Sequence, residues 1–89
     1  MTPTDNIHIR ILEAINSLST KSYVSPFEVN KRVKLDEIEF GDRLLSLRRL
    51  RYVTVKKNSV APDKSLPNGI CGVSITDDGR QVLRRRTYL

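Results

Sequence analysis

The residues that could carry catalysis in this 89-residue chain are too few and too scattered to do so. His8 is the only histidine and Cys71 the only cysteine, so the sequence offers no cluster at metal-ligand spacing. No Ser/His/Asp or Cys/His arrangement and no phosphate-cradling glycine loop is visible. Asp77-Asp78 has the look of paired acids, but at the start of a helix two carboxylates more simply stabilise its positive end. An enzyme is therefore not expected, and no metal or cofactor is implied. What remains is charge. Sixteen Lys and Arg against ten Asp and Glu give a net +6. Such a surplus favours an anionic partner, nucleic acid or a membrane surface, the alternative being a basic but inert coat. Arg84-Arg85-Arg86 either adds phosphate contacts or is solvated charge at a helix C-terminus, and the second reading is preferred.

One cysteine allows no internal disulfide, which points to an intracellular chain. Met1-Thr2-Pro3-Thr4-Asp5 lacks the basic and apolar blocks of a signal peptide, and no apolar run approaches the roughly 18 residues that span a bilayer. The expectation is a single cytoplasmic domain over 1–89, with no membrane partner and no small-molecule ligand evident. Hydrophobic residues make up 38% of the chain, so nearly all of them must pack.

The elements that would position the cations follow from periodicity and caps. Asp5 can cap a first helix to about Ser19, with Ile7, Ile11, Leu12, Ile15 and Leu18 at helical spacing and His8, Arg10, Glu13 and Asn16 on other faces. Ser25-Pro26-Phe27-Glu28 and Asp36-Glu37-Ile38-Glu39 are two capping boxes eleven residues apart. Pro26 at the first helical position loses nothing by lacking an N–H. The second helix should run to Val33, burying Phe27 or Val29, and Lys34-Leu35 should form the turn. The third, from Asp36 to Leu50, places Phe40, Leu44 and Leu47 on one stripe flanked by Ile38 and Leu45. Tyr52 to Lys56 reads as a strand, Asn58 to Gly69 as a loop, and Ile70 to Thr76 as the return strand. Tyr23-Val24 is too short to stand alone but can pair with the hairpin edge. Thr76 then starts a last helix through Val82-Leu83.

This order resembles the winged-helix transcription regulators of bacteria, archaea and their viruses, including the multiple-antibiotic-resistance-regulator type. Leu44-Leu45-x-Leu47-x-x-Leu50-x-Tyr52-Val53 is similar to that family's passage from recognition helix into first wing strand. Ile75-Thr76-Asp77-Asp78-Gly79-Arg80-x-Val82-Leu83 is similar to its second wing strand turning into a helix. The resemblance implies an α+β winged helix-turn-helix: three helices, a β-hairpin wing and a short C-terminal helix. It implies a DNA-binding transcriptional regulator, acting as a homodimer on double-stranded DNA. Helix 36–50 would lie in the major groove, with Arg43, Ser46 and Arg49 as its exposed residues facing the groove. Arg43 would make a bidentate contact with a guanine edge or a phosphate, and Ser46 would reach base or backbone. Lys56, Lys57 and Lys64 on the 56–69 wing would meet flanking phosphates, and Lys31, Arg32 and Lys34 would set register on the backbone. Ile9 and Leu89 are the exposed apolar candidates for a dimer contact.

Four carboxylates at the start of that helix, Asp36, Glu37, Glu39 and Asp42, cut across this picture. Asp36 and Glu39 are accounted for as caps, but Glu37 and Asp42 would meet phosphates badly. The second reading is therefore a protein-interaction module that docks a basic partner on the acidic face. An RNA-binding winged helix is the third.

Overall fold

Side-chain caps and apolar spacing divide the chain into helix α1 (Asn6–Leu18), α2 (Pro26–Val33), α3 (Glu37–Arg49), strand β1 (Val53–Lys57), β2 (Ile70–Ile75) and helix α4 (Asp77–Thr87). The structure, a computed structural model, describes residues 6–18, 22–57 and 66–87. The fold is α+β, with the element order of a winged helix-turn-helix and an antiparallel β1–β2 hairpin. Asp5, Lys64, Leu89 and most of the expected wing loop lie outside the described residues. None of the described helices is long and apolar enough to cross a membrane.

The core draws on α1, α2, α3 and both strands, with Val82 and Leu83 of α4 packed against it. Ile11, Leu12 and Ile15 of α1 meet Val29 and Val33 of α2, Phe40, Leu44 and Leu47 of α3, and Val53, Ile70, Val73 and Ile75 of the hairpin. Each such side chain contributes on the order of 1.5–3 kcal/mol by leaving water. The α3 stripe is the one its spacing predicts. Val29 rather than Phe27 is the buried member of α2, Phe27 being half-buried.

In α1 the sequence expectation needs correcting. Ile9, taken there as an exposed dimer candidate, is 7% exposed, and His8 is buried as well. The cause is that α1 packs against α2, β2 and α4 together, so more than one stripe of it is covered. Ile38 departs in the other direction. Expected to flank the core, it is 64% exposed.

The hairpin pairs Val53 with Ile75, Thr54 with Ser74, Val55 with Val73 and Lys56 with Gly72, then slips so that Lys57 faces Ile70. Strand β1 thus begins one residue later than its composition suggests. Val24 forms the expected bridge on the far edge of β2, donating to the Val73 carbonyl at 2.8 Å and accepting from the Val73 N–H at 3.0 Å. Paired on both sides, β2 buries Ile70, Gly72, Val73 and Ile75, while β1 leaves Thr54, Lys56 and Lys57 exposed.

Two glycines let elements touch. A Cβ on Gly79 of α4 would lie 2.3 Å from the Tyr52 carbonyl oxygen. One on Gly41 of α3 would lie 2.6 Å from Nδ2 of Asn68, in the turn before β2.

Candidate nucleic-acid interface

The helix-turn-helix is set by short-range polar contacts. Ser25 Oγ accepts from the Phe27 N–H at 3.2 Å and opens α2. Asp36 Oδ2 accepts from the N–H groups of Ile38 at 3.0 Å and Glu39 at 3.4 Å and opens α3. Between them Asn30 closes the turn from both sides. Its Nδ2 donates to the Leu35 carbonyl at 2.8 Å, and its Oδ1 accepts from the Leu35 N–H at 2.9 Å. Nothing in the sequence pattern singled Asn30 out, because its partner lies five residues away in non-helical chain.

Along α3 the charge reverses. Glu37, Glu39 and Asp42 occupy the first half, and Arg43, Arg48 and Arg49 the second, with Arg51 just beyond. Glu37 and Glu39 in the first turn and Arg48 and Arg49 in the last complement the dipole, stabilising α3 by about 0.3–1 kcal/mol per group. Ile38, Asp42 and Arg49 are exposed, and Leu45 and Ser46 are half-buried. Arg43 is also half-buried, and its guanidinium lies 3.6 Å from Glu39 Oε2, one helical turn back. That pair neutralises Glu39, which the sequence had assigned to the cap, and leaves Glu37 and Asp42 as the difficulty.

The remaining cations fall into two sets. Lys31 is exposed and pairs with Glu28 Oε1 at 3.1 Å; the side chains are 72% and 55% exposed, so the pair adds little stability. Arg32 is exposed and lines a shallow groove with Arg10 and Glu13 of α1. Arg10 ties α1 to the end of α2 by donating to the Val33 carbonyl at 3.2 Å. Lys34 caps α2 in the left-handed region, with φ 62°. On the hairpin, Lys57 is exposed and Lys56 Nζ lies 4.8 Å from the centroid of the Tyr23 ring.

Sequence reasoning missed a second basic surface beside α3. Arg48, Arg51, Tyr23, Thr54 and Thr76 line one groove between the end of α3 and the outer side of the hairpin. Arg51 sits at φ 66°, where an L side chain costs about 1–2 kcal/mol. Three bonds hold the turn there. The Arg51 N–H donates to the Arg48 carbonyl at 3.0 Å, and the Tyr52 N–H to the Leu47 carbonyl at 3.0 Å, the paired bonds of a Schellman ending. The Thr76 hydroxyl donates to the Arg51 carbonyl at 2.7 Å and accepts from the Gly79 N–H at 3.1 Å, so one side chain holds this turn and starts α4. Such an ending is signalled in sequence by glycine, and here the position carries arginine.

No protein-family model and no curated protein sequence matches the chain. Among solved structures it is similar to that of Bordetella bronchiseptica BpsR, described with the mechanism by which 6-hydroxynicotinic acid regulates that protein's DNA binding. The TM-score is 0.66 at 17% identity, over 92% of this chain and 51% of that one. At that identity the likeness speaks for the fold, and this chain spans about half the length of its neighbour.

Proposed function

We propose that this chain is a double-stranded DNA-binding transcriptional regulator that lays α3 in the major groove and the 56–69 arm on the flanking backbone. The observation that carries the reading is Arg43, Arg48 and Arg49 along the second half of α3, followed in the chain by the exposed Lys56 and Lys57 of β1, on a winged-helix frame. BpsR, with the same frame, is a DNA-binding protein, which favours the reading without transferring residues. Arg49 and Ser46 face the groove edges, with Arg43 alongside. Lys56, Lys57 and Lys64 meet phosphates on the hairpin side, and Lys31, Arg32 and Lys34 meet them beyond the turn. Asp42 accepts from a cytosine amino group instead of opposing a phosphate. The chain works as a homodimer on a two-fold site in the cytoplasm, with no enzymatic step. With Ile9 buried, the dimer contact must come from elsewhere.

Duplex affinity measured across a salt series tests this. Each phosphate neutralised adds about 0.9 to the log–log slope, so six or more contacts give a slope steeper than about −5. A flat response removes the electrostatic premise.

A protein-docking role is the second reading, favoured by the exposed Ile38 beside Glu37 and Asp42 on the first turns of α3. Replacing Glu37 and Asp42 by Lys separates the two. Duplex binding tightens if this face lies against DNA, whereas a basic protein partner is lost if it lies there instead.

A further inference from the structure

We propose that the groove between the end of α3 and the outer side of the hairpin is a phosphate site built around Arg51 and Arg48. Three stretches of chain far apart in sequence converge on it: Tyr23 beside the Val24 bridge, Arg48 to Thr54 from the end of α3 into β1, and Thr76 after β2. Among the described residues its lining holds two guanidiniums, the hydroxyls of Tyr23 and Thr54, that of Thr76 already donated to the Arg51 carbonyl, the apolar Val53 and Val55, and no carboxylate. The two guanidiniums with the Tyr23 and Thr54 hydroxyls fit an oxyanion with several acceptor oxygens, their charge set against the negative end of the α3 dipole. Tyr23 is steadied as one wall by Lys56, whose ammonium sits 4.8 Å from the ring centroid and adds a third cation at the rim.

The backbone supplies a separate argument. Among the described residues, the non-glycine positions with positive φ are Lys34 and Arg51, each ending a helix of the helix-turn-helix. Glycine fills such positions without strain, and the dipole at the end of α3 already has Arg48 and Arg49 in its last turn. An arginine held against its conformational preference by the Thr76 hydroxyl and the Schellman pair does something glycine would not. The turn sets a second guanidinium at a groove that already contains one.

The ligand chemistry is a phosphate group, and its source on the reading proposed above is the DNA backbone flanking the α3 contact. The assignment rests on that reading for its source but not for its chemistry, so the test has two arms. In the first, a labelled random-sequence duplex is titrated across a salt series with the full chain and with Arg51→Gly, Arg51→Lys, Arg48→Ala and Arg84→Ala. Arg51→Gly and Arg48→Ala should each flatten the slope by about 0.9, while Arg51→Lys and Arg84→Ala keep it. The free Arg51→Gly protein should melt no lower than wild type, so its loss of affinity is not unfolding. In the second arm, melting is followed in inorganic phosphate against chloride at equal ionic strength.

Wild-type duplex binding with a slope indifferent to Arg51 and Arg48 overturns the site and leaves the regulator reading standing. Absence of duplex binding, together with stabilisation by phosphate that disappears in Arg51→Gly, keeps the site with free phosphate as its ligand and removes the regulator reading. With neither response, both fall. A melting temperature that drops in Arg51→Gly together with its slope assigns Arg51 a structural role and overturns the proposal.

Discussion

The turns that end α2 and α3 solve the same local problem with different reach. Both put a basic residue in the left-handed region, Lys34 at φ 62° and Arg51 at φ 66°. The first is closed by Asn30, whose side chain bonds backbone five residues away. The second is closed in part by Thr76, 25 residues away in sequence and at the start of another helix. The α2–α3 turn is therefore specified by its own segment, while the α3–β1 turn is complete only after β2 has paired and α4 has docked. Cooperativity should be concentrated at the second.

The largest effect expected from that difference comes from Gly79. Alanine there puts a Cβ 2.3 Å from the Tyr52 carbonyl, against backbone that cannot swing aside. Gly79→Ala should cost about 3 kcal/mol and lower the melting temperature by roughly 12 °C or more. Denaturant unfolding would measure it, and a cost under about 1 kcal/mol would mean that α4 does not lock the α3–β1 turn.

Next come the two closing side chains, compared as a pair. Asn30→Ala strips two bonds from Leu35 and Thr76→Val strips one from Arg51 and one from Gly79, so each should cost about 2 kcal/mol. Their hydrogen-exchange patterns should differ. Loss of Asn30 should speed exchange near residues 34–36 alone, whereas loss of Thr76 should speed it in residues 50–53 and the first turn of α4 together. Matching patterns would erase the distinction between a local and a long-range closure.

The smallest effect should be Lys34→Gly. Relief of the left-handed strain is partly offset by glycine's larger unfolded-state entropy, leaving a gain of about 0.5 kcal/mol. Thermal melts at matched ionic strength check the sign. A loss would show that the Lys34 side chain stabilises α2 beyond its backbone conformation.

The same contrast explains what could be read from sequence. The starts of α2, α3 and α4 were legible because caps act within three residues, at Ser25, Asp36 and Thr76. The Val24 bridge and the hairpin were legible because β-branched residues and turn formers cluster around them. The burial of His8 and Ile9 was not, since a helix covered by three elements has no single apolar stripe. The Arg48–Arg51 groove was hidden for a stronger reason. Its walls come from segments whose proximity exists only in the folded chain, and the one position that might have flagged it carries arginine where glycine is the signal.

Asn68 stands where the turn before β2 meets α3. Its Oδ1 accepts from the Ile70 N–H at 3.3 Å at the root of β2, while its Nδ2 is seated over Gly41 on α3. One amide therefore joins the root of β2 to α3, and the bare Gly41 backbone lets the two approach closely. A side chain as small as alanine at residue 41 would have to displace the Asn68 amide, and with it the turn that leads into β2.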